Sequence, residues 1–265
     1  RSFYQCIKLK QIYIGENIQT IGEYAFSIIT ELTEIELPTN CVSIGGYIFA
    51  QCSKLRTVKL PNEITVIPAS AFQSCTLLET VEMSQKVTKI ESNAFFQCNN
   101  LISIELPPNL ESIGNSSFGY CTSLSVLEIP QSVASIKERA FDHCSSITSM
   151  KIPDHITHIE NYTFFHCEKL VNLSLPSNLK VVGEFAFSNC ISLESLVFPK
   201  TTIKLGKGVC YVCLKLSYVE LNDNISIIPD RAFFKNEGLV NIKIPSNVLI
   251  IEEYAFSNCI SLLNI

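Results

Sequence analysis

The chain has 265 residues, 47% of them hydrophobic and 17% charged, with a net charge of -5, twelve cysteines and no tryptophan. The acidic balance and the scatter of Lys and Arg argue against nucleic acid as a partner. There is no run of 18 apolar residues to serve as a membrane-spanning helix.

Phe3 opens a series that recurs every 23 residues: Phe26, Phe49, Phe72, Phe95, Phe118, Phe141, Phe164, Phe187, then Cys210 in the same place, then Phe233 and Phe256. A strict period of this length marks a solenoid in which each turn buries its apolar face on its neighbours. The predicted organisation is therefore a single array of about twelve 23-residue turns over residues 1–265. At about 4.8 Å per turn it would be roughly 55 Å long. The chain begins part way through a turn at Arg1 and stops on a strand position at Ile265. Neither end reads as a polar capping turn, so a piece of a longer protein is expected.

Within a turn, counted from the Phe, a small residue precedes it and Cys stands at +3, Leu at +6, an aliphatic at +9 and +11, Pro at +12, Asn at +14, an aliphatic at +15 and Ile at +18. One turn reads Phe95, Cys98, Leu101, Ile104, Leu106, Pro107, Asn109, Leu110, Ile113. Leu fills +6 in eleven of twelve turns, with Ile147 the exception. The alternation across +9 and +11 predicts a short strand with every second side chain in the core. Parallel stacking then sets like positions above one another, and Pro ends the strand by removing a donor. Asn at +14 (Asn17, Asn40, Asn109, Asn178, Asn224, Asn247) is expected to be an inward amide serving backbone groups of the neighbouring turn. The alanine before most anchor rings suits a cramped return segment, expected as a single helical or 3₁₀ turn.

The stretch from +6 to +14 is the leucine-rich-repeat half-consensus. The whole unit resembles the BspA-like subgroup of leucine-rich repeat proteins, in Ile21-Gly22-Glu23-Tyr24-Ala25-Phe26 and in Val182-Gly183-Glu184-Phe185-Ala186-Phe187 through Cys190, Leu193, Leu196 and Phe198-Pro199. The resemblance covers essentially the whole chain. It implies a leucine-rich-repeat superhelix, mostly β with little helix, with one parallel sheet face and short turns or 3₁₀ or helical pieces opposite. It also implies a cell-surface or secreted protein that binds host or extracellular-matrix proteins and neighbouring cells.

Ten cysteines occupy +3: Cys6, Cys52, Cys75, Cys98, Cys121, Cys144, Cys167, Cys190, Cys213 and Cys259. Ile29 fills the same place in another turn, so the position is apolar and its thiols are expected to be unpaired core groups. Cys41 falls at +15, an aliphatic position.

On the strand side the repeat leaves +8, +10 and +13 unconstrained, and these positions are expected to face solvent and to carry recognition. The +10 column runs Tyr13, Glu36, Lys59, Glu82, Glu105, Glu128, Lys151, Ser174, Val197, Glu220, Lys243. Stacked Glu82, Glu105 and Glu128 would form an acidic strip for a basic partner or a cation. The competing explanation is three solvated carboxylates relieved by Lys59 and Lys151. The candidate protein-binding residues are Glu36, Lys59, Glu82, Glu105, Glu128, Lys151, Tyr218 and Glu220.

Further along, His143 and His166 lie one period apart and should stack as exposed loop histidines, without a third ligand in register. His155 and His158 do not join them. Sequons occur at Asn115, Asn161, Asn172 and Asn224, and Asn172 would lie on the strand face. The tenth junction, Lys200 to Lys215, is irregular: it carries four lysines, puts Thr202 at a core position and replaces the Ala-Phe anchor by Val209-Cys210. Cys210 and Cys213 form a C-x-x-C, which the register explains without metal or redox chemistry.

No nucleophile, base and orienter stand together against the repeat background, so no enzyme activity, cofactor or small-molecule substrate is expected. The expected function is non-enzymatic binding of a protein, and the family resemblance implies that it serves adhesion at a cell surface. A second reading is an intracellular scaffold, since free thiols suit a reducing compartment. A glycan-binding module is the third and weakest, because strand-face aromatics are few, chiefly Tyr13 and Tyr218.

Overall fold

The computed structural model describes all 265 residues, which divide into two compact units, 1–135 and 136–265. Each is a solenoid of 23-residue turns built from short parallel strands, with no helix. In the first unit, Glu34–Glu36, Thr57–Lys59 and Thr80–Glu82 pair in parallel with Glu34 beside Thr57 and Thr57 beside Thr80, a shift of one period per strand. A bridge between Ser103 and Val126 extends the same line. In the second unit, Ser149–Lys151 pairs with Asn172–Ser174, and Ser195–Val197 with Tyr218–Glu220. These strands occupy +8 to +10. In most of them the central residue is buried and the outer two are exposed, as an alternating side-chain direction requires.

The return side differs from the sequence expectation. In place of a helical or 3₁₀ turn there is a second parallel ladder of two-residue strands at +17 and +18. Examples are Val66–Ile67, Lys89–Ile90 and Ser112–Ile113 in the first unit, and His158–Ile159, Val181–Val182 and Lys204–Leu205 in the second.

Between the two ladders, the residues two before and two after each anchor ring have left-handed backbone, as at Tyr24, Ile28, Tyr47 and Gln51 with φ from 55° to 62°. Reversing φ at these places turns alternate N–H groups toward the next turn. Tyr24, Phe26 and Ile28 donate to the carbonyls of Gly46, Ile48 and Ala50 at 2.8–3.0 Å. A helical turn would aim the same groups back along its own chain. For a β-branched residue such as Ile28 or Val212 the left-handed region costs roughly 1–2 kcal/mol, which inter-turn hydrogen bonds repeated in every rung offset.

The core is a set of columns. Phe49, Phe72 and Phe95 are fully buried, with neighbouring ring centroids 5.5 and 5.2 Å apart and planes within 22°. In the second unit Phe141, Phe164 and Phe187 stack at 5.6 and 5.9 Å. The +3 thiols are free and almost all buried, with Cys6 exposed and Cys259 half-buried. Most have a polar task as well: Cys75 Sγ donates to the carbonyl of Phe49, Cys98 to Phe72, Cys190 to Phe164 and Cys213 to Phe187, at 3.0–3.2 Å. Cysteine suits this place because it is apolar enough for the core and still carries a weak donor. Asn236 substitutes for it once, and its Oδ1 accepts the Cys213 N–H at 2.9 Å.

The +14 amides do tie turns together: Asn40, Asn178, Asn224 and Asn247 each donate to a carbonyl of the preceding turn at 2.7–3.1 Å. They are exposed rather than inward, so the expectation of a buried amide is corrected.

Candidate functional site

The +8, +10 and +13 side chains point away from the core on the strand face of each unit. All eight candidate residues are exposed there: Glu36, Lys59, Glu82, Glu105 and Glu128 in the first unit, and Lys151, Tyr218 and Glu220 in the second. Their direction follows from the strand alternation, which buries +9 and +11.

The face of the first unit carries two concavities. One, of about 540 Å³, is lined by Tyr13, Glu36, Lys59 and Glu82 with Glu34 and Thr57. The other, of about 650 Å³, contains Glu105 and Glu128 with Ser103, Val126, Gln85 and Gln131. A third, of about 820 Å³, lies on the second unit around Tyr218 and Glu220, between Lys200 and Lys243. Backbone pairing thus groups Glu36, Lys59 and Glu82 in one hollow, Glu105 and Glu128 in a second, and Tyr218 and Glu220 in a third.

The acidic strip is only partly relieved. Glu82 lies 3.7 Å from Lys59 Nζ, both well exposed, so the attraction is screened and small. No ion pair joins Glu105 or Glu128. Beside them Ile102 and Val126 are more than half exposed, giving an apolar spot next to two open carboxylates. Neighbouring pairs sit elsewhere: Lys54 with Glu31 and Lys86 with Glu63 at 2.7 Å, and Arg56 with Glu79. The Lys54 hydrogen bond holds the Glu31 carboxyl below its usual range.

On the turn side the histidines stack as expected, with ring centroids 4.5 Å apart and planes within 11°. They are half-buried and built into the rung, which corrects their reading as exposed loop residues: His143 Nδ1 meets Asp142 at 2.5 Å and His166 Nδ1 meets Glu168 at 3.3 Å. The sequence reading missed further aromatic stacks on the turn side, at −2 and +1 from the anchor. Tyr24 stacks on Tyr47 at 4.5 Å, Tyr162 on Phe185 at 5.4 Å and Tyr211 on Phe234 at 4.9 Å, with Arg139 over Tyr162. Aromatic residues one or two places from the anchor were the available signal. These rings face one another along the rungs and so brace the turn side.

The tenth junction is repaired internally. Thr202 is fully buried and donates to the Leu179 carbonyl at 3.1 Å, while Lys207 pairs with Asp230 at 2.7 Å. Cys210 is fully buried, and burial pushes its pKa well above the ordinary value. No group of three or more His, Cys, Asp and Glu is placed to hold a metal ion. No helix is long and apolar enough to cross a membrane.

Among solved structures, a leucine-rich repeat protein from Bacteroides ovatus superimposes with a TM-score of 0.82 at 28% identity, over 94% of this chain and 70% of that one. A leucine-rich cell surface protein from Faecalibacterium prausnitzii gives a TM-score of 0.64 at 25% identity, over 97% and 86%. A leucine-rich repeat protein of T. pallidum gives 0.60 at 28% identity, over 66% and 82%. No curated protein matches the chain. The model of the BspA type leucine-rich repeat region matches residues 1–124, 88–213 and 203–265, and with the 23-residue columns described above it shows that the chain belongs to that family.

Proposed function

We propose that this chain is a non-enzymatic protein-binding module acting at a cell surface, in adhesion or in contact with a host or extracellular-matrix protein. Recognition falls to the exposed strand positions Glu36, Lys59, Glu82, Glu105, Glu128, Lys151, Tyr218 and Glu220. The observation that carries the reading is that these side chains have no packing task and that all of them but Lys151 line the hollows of the strand face. An open, shallow face suits a large partner. Surface placement draws on the Faecalibacterium prausnitzii relative, itself a cell surface protein.

A specific observation supports a second reading. Twelve free thiols fit a reducing compartment, where the array would be a scaffold for assembly partners. Antibody staining of intact and permeabilised source cells separates the two: signal on intact cells supports the surface module, and signal only after permeabilisation supports the scaffold.

A further inference from the structure

From the hollow around Tyr218 we infer a binding subsite for a neutral saccharide, a ligand class apart from the protein partner proposed above. The hollow is the largest of the three on the strand faces, at about 820 Å³, within the range of small-molecule clefts. Tyr218 stands at +8 in Tyr218–Glu220, and its hydroxyl donates to Glu220 Oε2 at 2.8 Å on the same strand and face. Tyr218 as a residue is 51% exposed, and no other aromatic ring pairs with it. Its ring is therefore partly open to solvent and is not spent on another ring.

This is the opposite of the turn-side aromatics, whose faces are spent on one another. An open, electron-rich face packs well against the weakly positive C–H groups of a pyranose ring. Its neighbour positions on the adjoining strands are the small Ser195 and Asn241, which leave that face uncrowded.

The rim supplies hydroxyl-binding groups. Asn241, Asp223, Lys243 and Lys200 line the same hollow. The Asn241 side-chain Oδ1 accepts from Asn264 Nδ2 at 2.7 Å, which leaves its side-chain N–H groups as donors. The Asp223 side chain offers an acceptor, and the two lysines offer donors. Asn222 and Asn224 are already committed to backbone carbonyls and contribute shape. Two cations, Lys200 and Lys243, balance two anions, Glu220 and Asp223, so the hollow has no net field to attract sialylated, sulfated or aminated sugars. A platform of one aromatic ring with mixed donors and acceptors and no net charge fits a neutral pyranoside.

The test is saturation-transfer NMR and calorimetry of the whole chain against neutral glucose, galactose, mannose and N-acetylhexosamine oligosaccharides, with sialylated and sulfated ones alongside. The expected result is binding of at least one neutral series, about tenfold weaker for Tyr218→Ala and within threefold of the parent for Tyr218→Phe, which keeps the ring. Amide-shift mapping on the unmodified chain is expected to place the perturbations at Tyr218, Asn241 and Lys243, and this readout stands if Tyr218→Ala fails to fold. Absence of binding by every neutral series, binding of charged glycans alone, equal binding by a folded Tyr218→Ala, or perturbations elsewhere would each overturn the assignment. None of these outcomes depends on whether a protein partner exists.

Discussion

Replacing Phe72 by alanine tests whether the ring column is the main source of stability. Phe72 is fully buried, with Phe49 5.5 Å to one side and Phe95 5.2 Å to the other. Truncation removes the buried ring and leaves a cavity, at about 3–5 kcal/mol, and two stacked contacts are lost with it. The backbone bond from Phe72 N–H to the Ala94 carbonyl, 2.8 Å, does not depend on the side chain. The loss is therefore one of packing, and Phe72→Leu should retain part of it, costing roughly 2 kcal/mol. In urea, with a slope of about 3 kcal/mol per molar, a loss of about 4 kcal/mol lowers the unfolding midpoint by about 1.3 M. Tyr13→Ala, at a residue 92% exposed, is the control and should move the midpoint by less than about 0.2 M. A Phe72→Ala midpoint shift no larger than that of the control would refute the reasoning, because no route to so small a loss exists if the ring is locked between its neighbours.

Other consequences follow from the thiol column and the close approach of turns. Burial pushes the pKa of Cys52 from 9.0 up to about 12 and raises those of Cys75 and Cys98 as well. In the folded state these groups keep their protons where the unfolded chain loses them. The stability they contribute is full below pH 9 and falls as pH rises from about 9 to 12, and urea midpoints measured across that window should decline. At pH 8 a thiol reagent should label Cys6 quickly in the native chain and all twelve cysteines in denaturant; rapid labelling of Cys98 without denaturant would contradict its burial. Cys98→Val keeps the apolar volume but removes the bond to the Phe72 carbonyl, and should cost about 1 kcal/mol in the same urea assay. Gly206→Ala should destabilise by about 2 kcal/mol or more, since a Cβ there would stand 2.4 Å from backbone atoms of Gly183 and Glu184; an unchanged melting temperature would show that the turns can separate.

The period made the columns legible because each column has one packing environment. Phe at 0, Cys at +3 and Leu at +6 were placed in the core, and +8 and +10 on the solvent side, from spacing alone. The return side was harder to read. Its strands are two residues long, as at Lys89–Ile90, too short for an alternation to register. Its left-handed positions carry Tyr, Gln, Ser, His and even Ile28 and Val212, and glycine only at Gly208. Composition therefore gave no hint of a backbone set by hydrogen bonding between turns. The candidate face was legible as a list of exposed residues. Its division into hollows was not, because that depends on how the strands and the +13 side chains close around each other.

The most direct test of the central claim, that the strand face is the recognition surface, is a solid-phase binding panel of purified extracellular-matrix proteins. The unmodified chain would be compared with the Glu82→Lys/Glu105→Lys/Glu128→Lys triple variant and with Gln51→Lys/Gln97→Lys on the turn side. The account predicts that a bound partner is lost by the triple variant and kept by the turn-side variant, with both folded. Retention by the triple variant together with loss by the turn-side variant would contradict it.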